Sequence, residues 1–180
     1  MLPIKESIVE ECKKQGLSKQ QCAYVLATTY HETAKTMEPV REAYWLPDTW
    51  RENNLRYYPW YGRGYVQITW KRNYVKAGDK LGLDLTTDPD VVMEDDVATQ
   101  ILVRGMKEGW FTGKKLDDYI NDTRVNYVDA RRIVNGTDKA APISIYAQKY
   151  EDQLVDYDKK ISWFDKFMKG LLNARKRREG

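Results

Sequence analysis

The stretch SKQQCAYVLATTYHETAKTMEPVREAYW, residues 18–45, constrains the fold more than any other. Ser18 followed three residues later by Gln21 is the signature of a capped helix start. Ala23, Leu26, Ala27 and Tyr30 then recur at the spacing of an amphipathic helix. The apolar pattern stops at His31-Glu32-Thr33, and Pro39 argues against one helix running through it. A carboxylate at the edge of an apolar face, beside tyrosines, can be partly desolvated, and this raises its pKa toward that of a general acid. Glu38, Arg41 and Glu42 follow closely, so Glu32 is one of several charges gathered behind one helix.

Helical periodicity continues along the chain, at 4–15, 19–31, 92–110, 115–121, 126–134, 142–157 and 161–177. A chain of 180 residues, 42% hydrophobic and 32% charged, is globular rather than disordered and most simply forms one domain over 1–180. No apolar run is long enough to cross a bilayer, and the first residues, MLPIKESIVEE, lack the apolar core of a signal peptide. The expected site of synthesis is the cytoplasm, with outside help for any later export. Two cysteines, Cys12 and Cys22, make no disulfide framework. With one histidine besides, a zinc centre is not expected, and the acidic stretch at 82–96 lacks calcium-loop spacing. No nucleotide-binding loop occurs, so neither metal nor cofactor is expected.

Thirteen tyrosines and six tryptophans crowd toward residues 44–74, and such rings suit stacking on sugars or bases. Segment 45–62 reads as a long ordered loop, which in a compact domain is usually functional. Next comes YGRGYVQITWKRNY, residues 61–74. Alternation from Tyr65 to Trp70 predicts a short strand, with Val66, Ile68 and Trp70 on one face and Tyr65, Gln67 and Thr69 on the other. Gly62 and Gly64 allow a tight backbone around Arg63.

At these residues the chain resembles glycoside hydrolase family 19, the family of plant-type chitinases and many phage endolysins. YHETAKTM, YYPWYGRGYVQITWKRNY, LGLDLTTDPDVV and RRIVNG occur in the family's order, over roughly residues 20–150. The resemblance implies a mainly α, lysozyme-like domain with two lobes around a glycan cleft and a short β element near 65–70. It also implies inverting hydrolysis by two carboxylates. Glu32 matches the general acid, Glu42 stands where the family places the general base (with Glu38 as the alternative), and Thr69 matches the residue that helps hold the attacking water. Gln67, Asn73 and Asn135 match residues that position the sugar chain, and Tyr61 is a further substrate-binding candidate. Plant members carry an arginine beyond the Asn-Gly motif; here Pro142 or Ile143 falls at that place, and Lys139 is the nearest substitute. Inversion places the two carboxyl groups about 6.5–9.5 Å apart, so the chain must fold back between Glu32 and Glu42, with Pro39 a plausible point.

The missing plant disulfides favour a phage-type endolysin that cuts the β-1,4 glycan of bacterial peptidoglycan. The alternatives are a chitinase acting on chitin oligomers and an inactive glycan-binding module. Residues 159–180 carry eight Lys/Arg against two Asp/Glu, a charge of +6 in a chain whose total is +3. With an apolar stripe at Ile161, Phe164, Met168, Leu171 and Leu172, this segment is expected to be a basic amphipathic helix that touches anionic membrane or lipopolysaccharide. The aromatic stretch and the basic tail are far apart in sequence, which disfavours nucleic acid as a partner. A monomer is expected.

Overall fold

The computed structural model describes residues 1–158. The expected basic helix over 159–180 lies outside them. The described residues are mainly helical, with β structure confined to two two-stranded ribbons. The helices are α1 (Glu6–Lys14), α2 (Lys19–Glu32), α3 (Asp48–Asn54), α4 (Lys71–Leu81), α5 (Asp95–Glu108) and α6 (Ala140–Gln153). Strand β1 (Val40–Arg41) pairs antiparallel with β2 (Arg63–Gly64), and β3 (Ile120–Asn121) with β4 (Arg124–Val125). Among the described residues no helix is long and apolar enough to cross a membrane.

Helix α2 starts as its sequence predicts. The Gln21 N–H donates to Ser18 Oγ at 3.2 Å, and the Ser18 N–H donates to Gln21 Oε1 at 3.2 Å. The amphipathic expectation fails, however: Cys22 through Thr29 are all buried. A helix apolar on every side is central, and α2 packs on α6 through tyrosine pairs. The Tyr30 ring meets those of Tyr146 and Tyr150 edge-on at 5.0 and 6.2 Å, and Tyr24 stacks on Tyr127, which lies ahead of α6, at 5.9 Å. The buried hydroxyls of Thr29 and Thr33 donate back to the carbonyls of Val25 and Thr29 at 2.9 and 2.8 Å, as buried polar groups must. Cys12 and Cys22 are buried free thiols.

The chain leaves α2 by a different device from the proline expected. Ala34, Lys35 and Met37 all take positive φ, of 50°, 74° and 58°. Each such residue with a Cβ costs about 1–2 kcal/mol, and the surrounding contacts must hold it there. The Lys35 N–H donates to Tyr30 O at 2.8 Å, and the Met37 N–H to the buried Thr33 hydroxyl at 3.1 Å. All three positive-φ residues precede Pro39, and β1 follows it.

Residues 65–70 do not form the expected strand. Gln67 and Trp70 have φ of 55° and 74°, which breaks the extended run into a turn closed by the single bridge between Arg63 and Ile68. Tyr65, Val66 and Ile68 are buried together, whereas Trp70 is exposed. The apolar residues are thus gathered by a turn rather than by alternation. Trp70 then heads α4, a helix that sequence periodicity does not pick out. Gly78 hides it, because glycine is a poor helix former; here a Cβ would lie 2.4 Å from Leu83 O, so packing requires the glycine. The long loop at 45–62 contains α3, and the helices expected at 115–121 and 126–134 are short 3₁₀ turns at Leu116–Asp118 and Asp129–Ile133.

Candidate active site

Glu32 is the last residue of α2, and its carboxylate does not face an apolar pocket. The Arg131 guanidinium, from the 3₁₀ turn before the Asn-Gly motif, donates through Nη1 to Glu32 Oε1 at 2.6 Å. The Arg131 side chain is 3% exposed and that of Glu32 18%, so this is a largely buried, charge-assisted contact. Arg131 Nε is held in turn by Asp138 O at 3.0 Å. His31, beside Glu32, has its pKa lowered chiefly by burial, with the Glu32 charge acting in the opposite direction. An arginine is therefore present, but it comes from ahead of the Asn-Gly motif and meets the acid candidate. The expected positions beyond the motif supply none: Ile143 is fully buried in the core, and Lys139 is an exposed residue of positive φ heading α6.

Glu42 extends the β1–β2 ladder, its N–H donating to Gly62 O at 2.7 Å. Both carboxylate oxygens have donors. Tyr57 Oη donates to Oε1 at 2.7 Å, and the Gly62 N–H to Oε2 at 2.9 Å. Burial and that bond to Glu42 push the Tyr57 phenol up to about 12, so it stays a donor at neutral pH. Glu38, the alternative, is exposed and tied to Lys5 Nζ at 2.8 and 2.9 Å. Of the two, only Glu42 lies beside Gln67.

Gly62 defines that neighbourhood. A Cβ there would sit 2.9 Å from Gln67 Oε1 and 3.2 Å from Glu42 Oε2. The amide and the carboxylate therefore both approach Gly62, and a side chain there would shift their ends. Gln67 is fixed by Nε2, which donates to Val40 O at 2.8 Å and Gly64 O at 3.1 Å. Thr69 Oγ1 donates to Gln67 O at 2.9 Å, and Asn73 Nδ2 donates to Thr69 O at 2.6 Å. Gln67 and Thr69, on the turn after β2, and Asn73, in the first turn of α4, are thus linked by hydrogen bonds, and Glu42, at the end of β1, adjoins them at Gly62. Asn135 is bonded instead to the Arg131 segment, its N–H donating to Arg131 O at 3.0 Å and its Oδ1 accepting from the Gly136 N–H at 2.8 Å. Tyr61 departs from its expected place. It is 3% exposed, its ring clamped between the Arg63 guanidinium at 3.6 Å and that of Arg51 at 5.2 Å, too covered to stack on a sugar.

Sequence reasoning missed three residues here: Arg131, Tyr57 and the steric need for Gly62. Arg131 opens the RRIVNG motif, but nothing local ties it to Glu32, 99 residues away. Tyr57 was one tyrosine among many. The glycine was visible, but as a backbone device rather than as space for two side chains. Behind β1 there is also a cavity of about 640 Å³, whose lining includes Arg41, Tyr44, Arg51, Tyr58, Arg63 and Asp90.

Comparison with known proteins bears on the family and the fold. Residues 41–111 match the sequence profile of glycoside hydrolase family 19, described as chitinase class I. An endochitinase of Arabidopsis thaliana is 30% identical over 158 residues, 82% of this chain and 50% of that protein. Chitinase 11 of Oryza sativa subsp. japonica is 59% identical over 39 residues, 22% of this chain and 15% of that one. The chain spans half or less of the length of these curated relatives. Among solved structures, a bacterial family 19 chitinase aligns with TM-score 0.53 and 25% identity, over 76% of this chain and 74% of that one. Chitinase C of Streptomyces griseus HUT6037 shares the fold at TM-score 0.57 and 21% identity, over 77% and 59% of the two chains. The ordered motifs, the helical fold and the profile match lead to one conclusion: the chain belongs to glycoside hydrolase family 19.

Proposed function

We propose that this chain is a phage-type endolysin that hydrolyses the β-1,4 glycan of bacterial peptidoglycan by inversion. Glu32 is the general acid that protonates the leaving oxygen. Glu42 is the general base that takes a proton from water on the opposite face of the sugar, and Thr69 helps hold that water. Gln67, Asn73 and Asn135 position the glycan. The observation that carries this reading is the difference between the two carboxylates. Glu32 is bonded to the Arg131 guanidinium through Oε1, so Oε2 is the oxygen that carries the proton for the leaving oxygen. Glu42 is fixed by a phenol and a backbone N–H next to the Gln67 amide. A fixed carboxylate suits a base that must hold water in line, and two unlike environments are how one site separates acid from base.

Mass analysis of fragments from purified peptidoglycan tests the substrate by identifying the bond cut. Chitin hydrolysis is the second reading, favoured by the names of the relatives, all of which are chitinases or chitinase-like proteins. Turnover of chitin oligomers without turnover of peptidoglycan would select it. Inversion predicts α-configured reducing ends as the first products from a β-linked chain, read by proton NMR. Initial β-anomer would remove Glu42 from its role as base. Glu42→Gln is expected to slow hydrolysis by about 10²-fold or more while changing glycan affinity little. Gly62→Ala should act on the same group from the backbone side. Its methyl must displace the Gln67 and Glu42 termini, and an error on the order of 1 Å at the nucleophile costs about 10²-fold. A folded Gly62→Ala protein at full activity would mean that this point is not catalytic.

We further propose that residues 159–180 carry the enzyme to anionic surfaces once it has been released from the host cytoplasm. Their +6 charge supports this, since each Lys or Arg near such a surface contributes about 1 kcal/mol, reduced by salt. Deleting 173–180 should spare hydrolysis of purified peptidoglycan and weaken lysis of intact Gram-negative cells from outside, with added salt narrowing the gap. Unchanged outside lysis at low salt would refute targeting.

A further inference from the structure

The cavity beside β1 is unused by the chemistry above, yet it adjoins that site. Arg41 immediately precedes Glu42, and Glu42 continues the same ladder through its bond to Gly62 O at 2.7 Å. Alternation along a strand sends the Arg41 and Glu42 side chains to opposite faces of the ribbon. A glycan held at the Glu42 carboxylate therefore runs on one face, and the cavity on the other is open to a group that branches from it.

The wall of the cavity is rigid. Arg51 and Arg63, with side chains 8% and 5% exposed, clamp the Tyr61 ring between them. Arg51 is bonded to Asp48 at 3.0 Å and to the carbonyls of Ala43 and Leu46 at 3.0 Å each. Arg63 is bonded to Asp90 at 2.8 Å and to Pro59 O at 2.7 Å. The mouth is more open. The Arg41–Asp90 ion pair, 3.0 Å long, has side chains 38% and 52% exposed. Asp88 is exposed beside it, and Tyr44, 60% exposed, stands at the rim. The volume, about 640 Å³, is that of a small-ligand site.

The cavity thus offers accessible charges of both signs and an aromatic rim. A neutral N-acetylated sugar chain answers the ring but covers the Arg41–Asp90 pair and the exposed Asp88 carboxylate without an opposite charge to offer either, which is unfavourable. A ligand bearing a carboxylate and an ammonium group matches both. Peptidoglycan differs from chitin in this respect, because its sugars carry short peptides with free carboxylates and an amine. We infer that the cavity binds the peptide branch of the peptidoglycan strand being cut, with a carboxylate on Arg41, an amine at Asp88 and Asp90, and Tyr44 covering the backbone between them. This rests on the peptidoglycan reading proposed above.

The test compares three substrates: intact purified peptidoglycan, the same glycan after an amidase has removed its peptides, and chitin oligosaccharides. The full chain is expected to cleave intact peptidoglycan about tenfold faster at low substrate than the stripped glycan, the scale of one lost charged hydrogen bond. Arg41→Ala and Tyr44→Ala, both at exposed positions, should abolish that preference and leave the rate on stripped glycan unchanged. Equal wild-type rates on intact and stripped glycan would overturn this inference and leave the peptidoglycan reading standing. Variants that slow both substrates alike would also overturn it, since the cavity would then serve the glycan itself. Cleavage of chitin alone would overturn the peptidoglycan reading, and this inference with it.

Discussion

Glu32→Gln is expected to lower hydrolysis of purified glycan by about 10²-fold or more in a protein that still folds. The substitution keeps the shape of the side chain and one acceptor oxygen, but removes the proton that must reach the leaving oxygen. It also leaves the guanidinium of Arg131, 2.6 Å away and 3% exposed, facing a neutral amide instead of a carboxylate. A moderate loss of stability should accompany the loss of activity. At about 1–3 kcal/mol for a weakened charged hydrogen bond, the melting temperature should fall by several degrees. The two readouts separate the roles of the residue. A folded Glu32→Gln protein with most of its activity would show that Glu32 is only the partner of Arg131. A protein too unstable to assay is addressed by measuring Glu32→Asp as well, which keeps the charge and the proton but shortens the reach.

Arg131→Ala should give the larger stability effect. Removing one member of a buried pair strands the other charge, and such truncations cost about 3–5 kcal/mol. Because Glu32 is 18% exposed and can recruit water, the lower end applies, about 3 kcal/mol, or about 6–12 °C in the melting temperature. The Asp138 carbonyl also loses its donor. Arg131→Lys should recover part of the stability, since a lysine keeps the charge but cannot bond Glu32 and Asp138 through one planar fork. Thermal melts of the three proteins at one pH check this. If Arg131→Ala melts within a degree or two of the wild type, the pair contributes nothing to the fold, and its effect on Glu32 must be read from activity alone.

The start of α2 needs only nearby residues. Ser18 and Gln21 are three positions apart, and their reciprocal bonds form wherever the helix forms. The ordered motifs from His31-Glu32-Thr33 to Asn135-Gly136 likewise carried the family resemblance, and the fold and profile comparisons agree with it. The course of residues 65–70 was different. Alternation cannot distinguish a strand from a turn whose apolar residues are all drawn inward, and only the core decides that Tyr65, Val66 and Ile68 are buried together. Positive φ at Gln67 and at Ala34, Lys35 and Met37 is equally silent in the sequence, because none of them is glycine, the residue type that marks such a turn.

The surroundings of the candidate carboxylates were decided the same way. Arg131 reaches Glu32 across 99 positions, Tyr57 reaches Glu42 across 15, and the space at Gly62 is bounded by two side chains rather than by its own backbone. By itself, then, the sequence determined the residue types of the site, the order of its motifs and the helical character of the chain, since each depends on composition or on spacing within a few turns. Which charge faces which carboxylate was left to the tertiary structure. A charge pair acts over a few ångströms in space, and no local pattern in a chain records which distant residue will be brought that near.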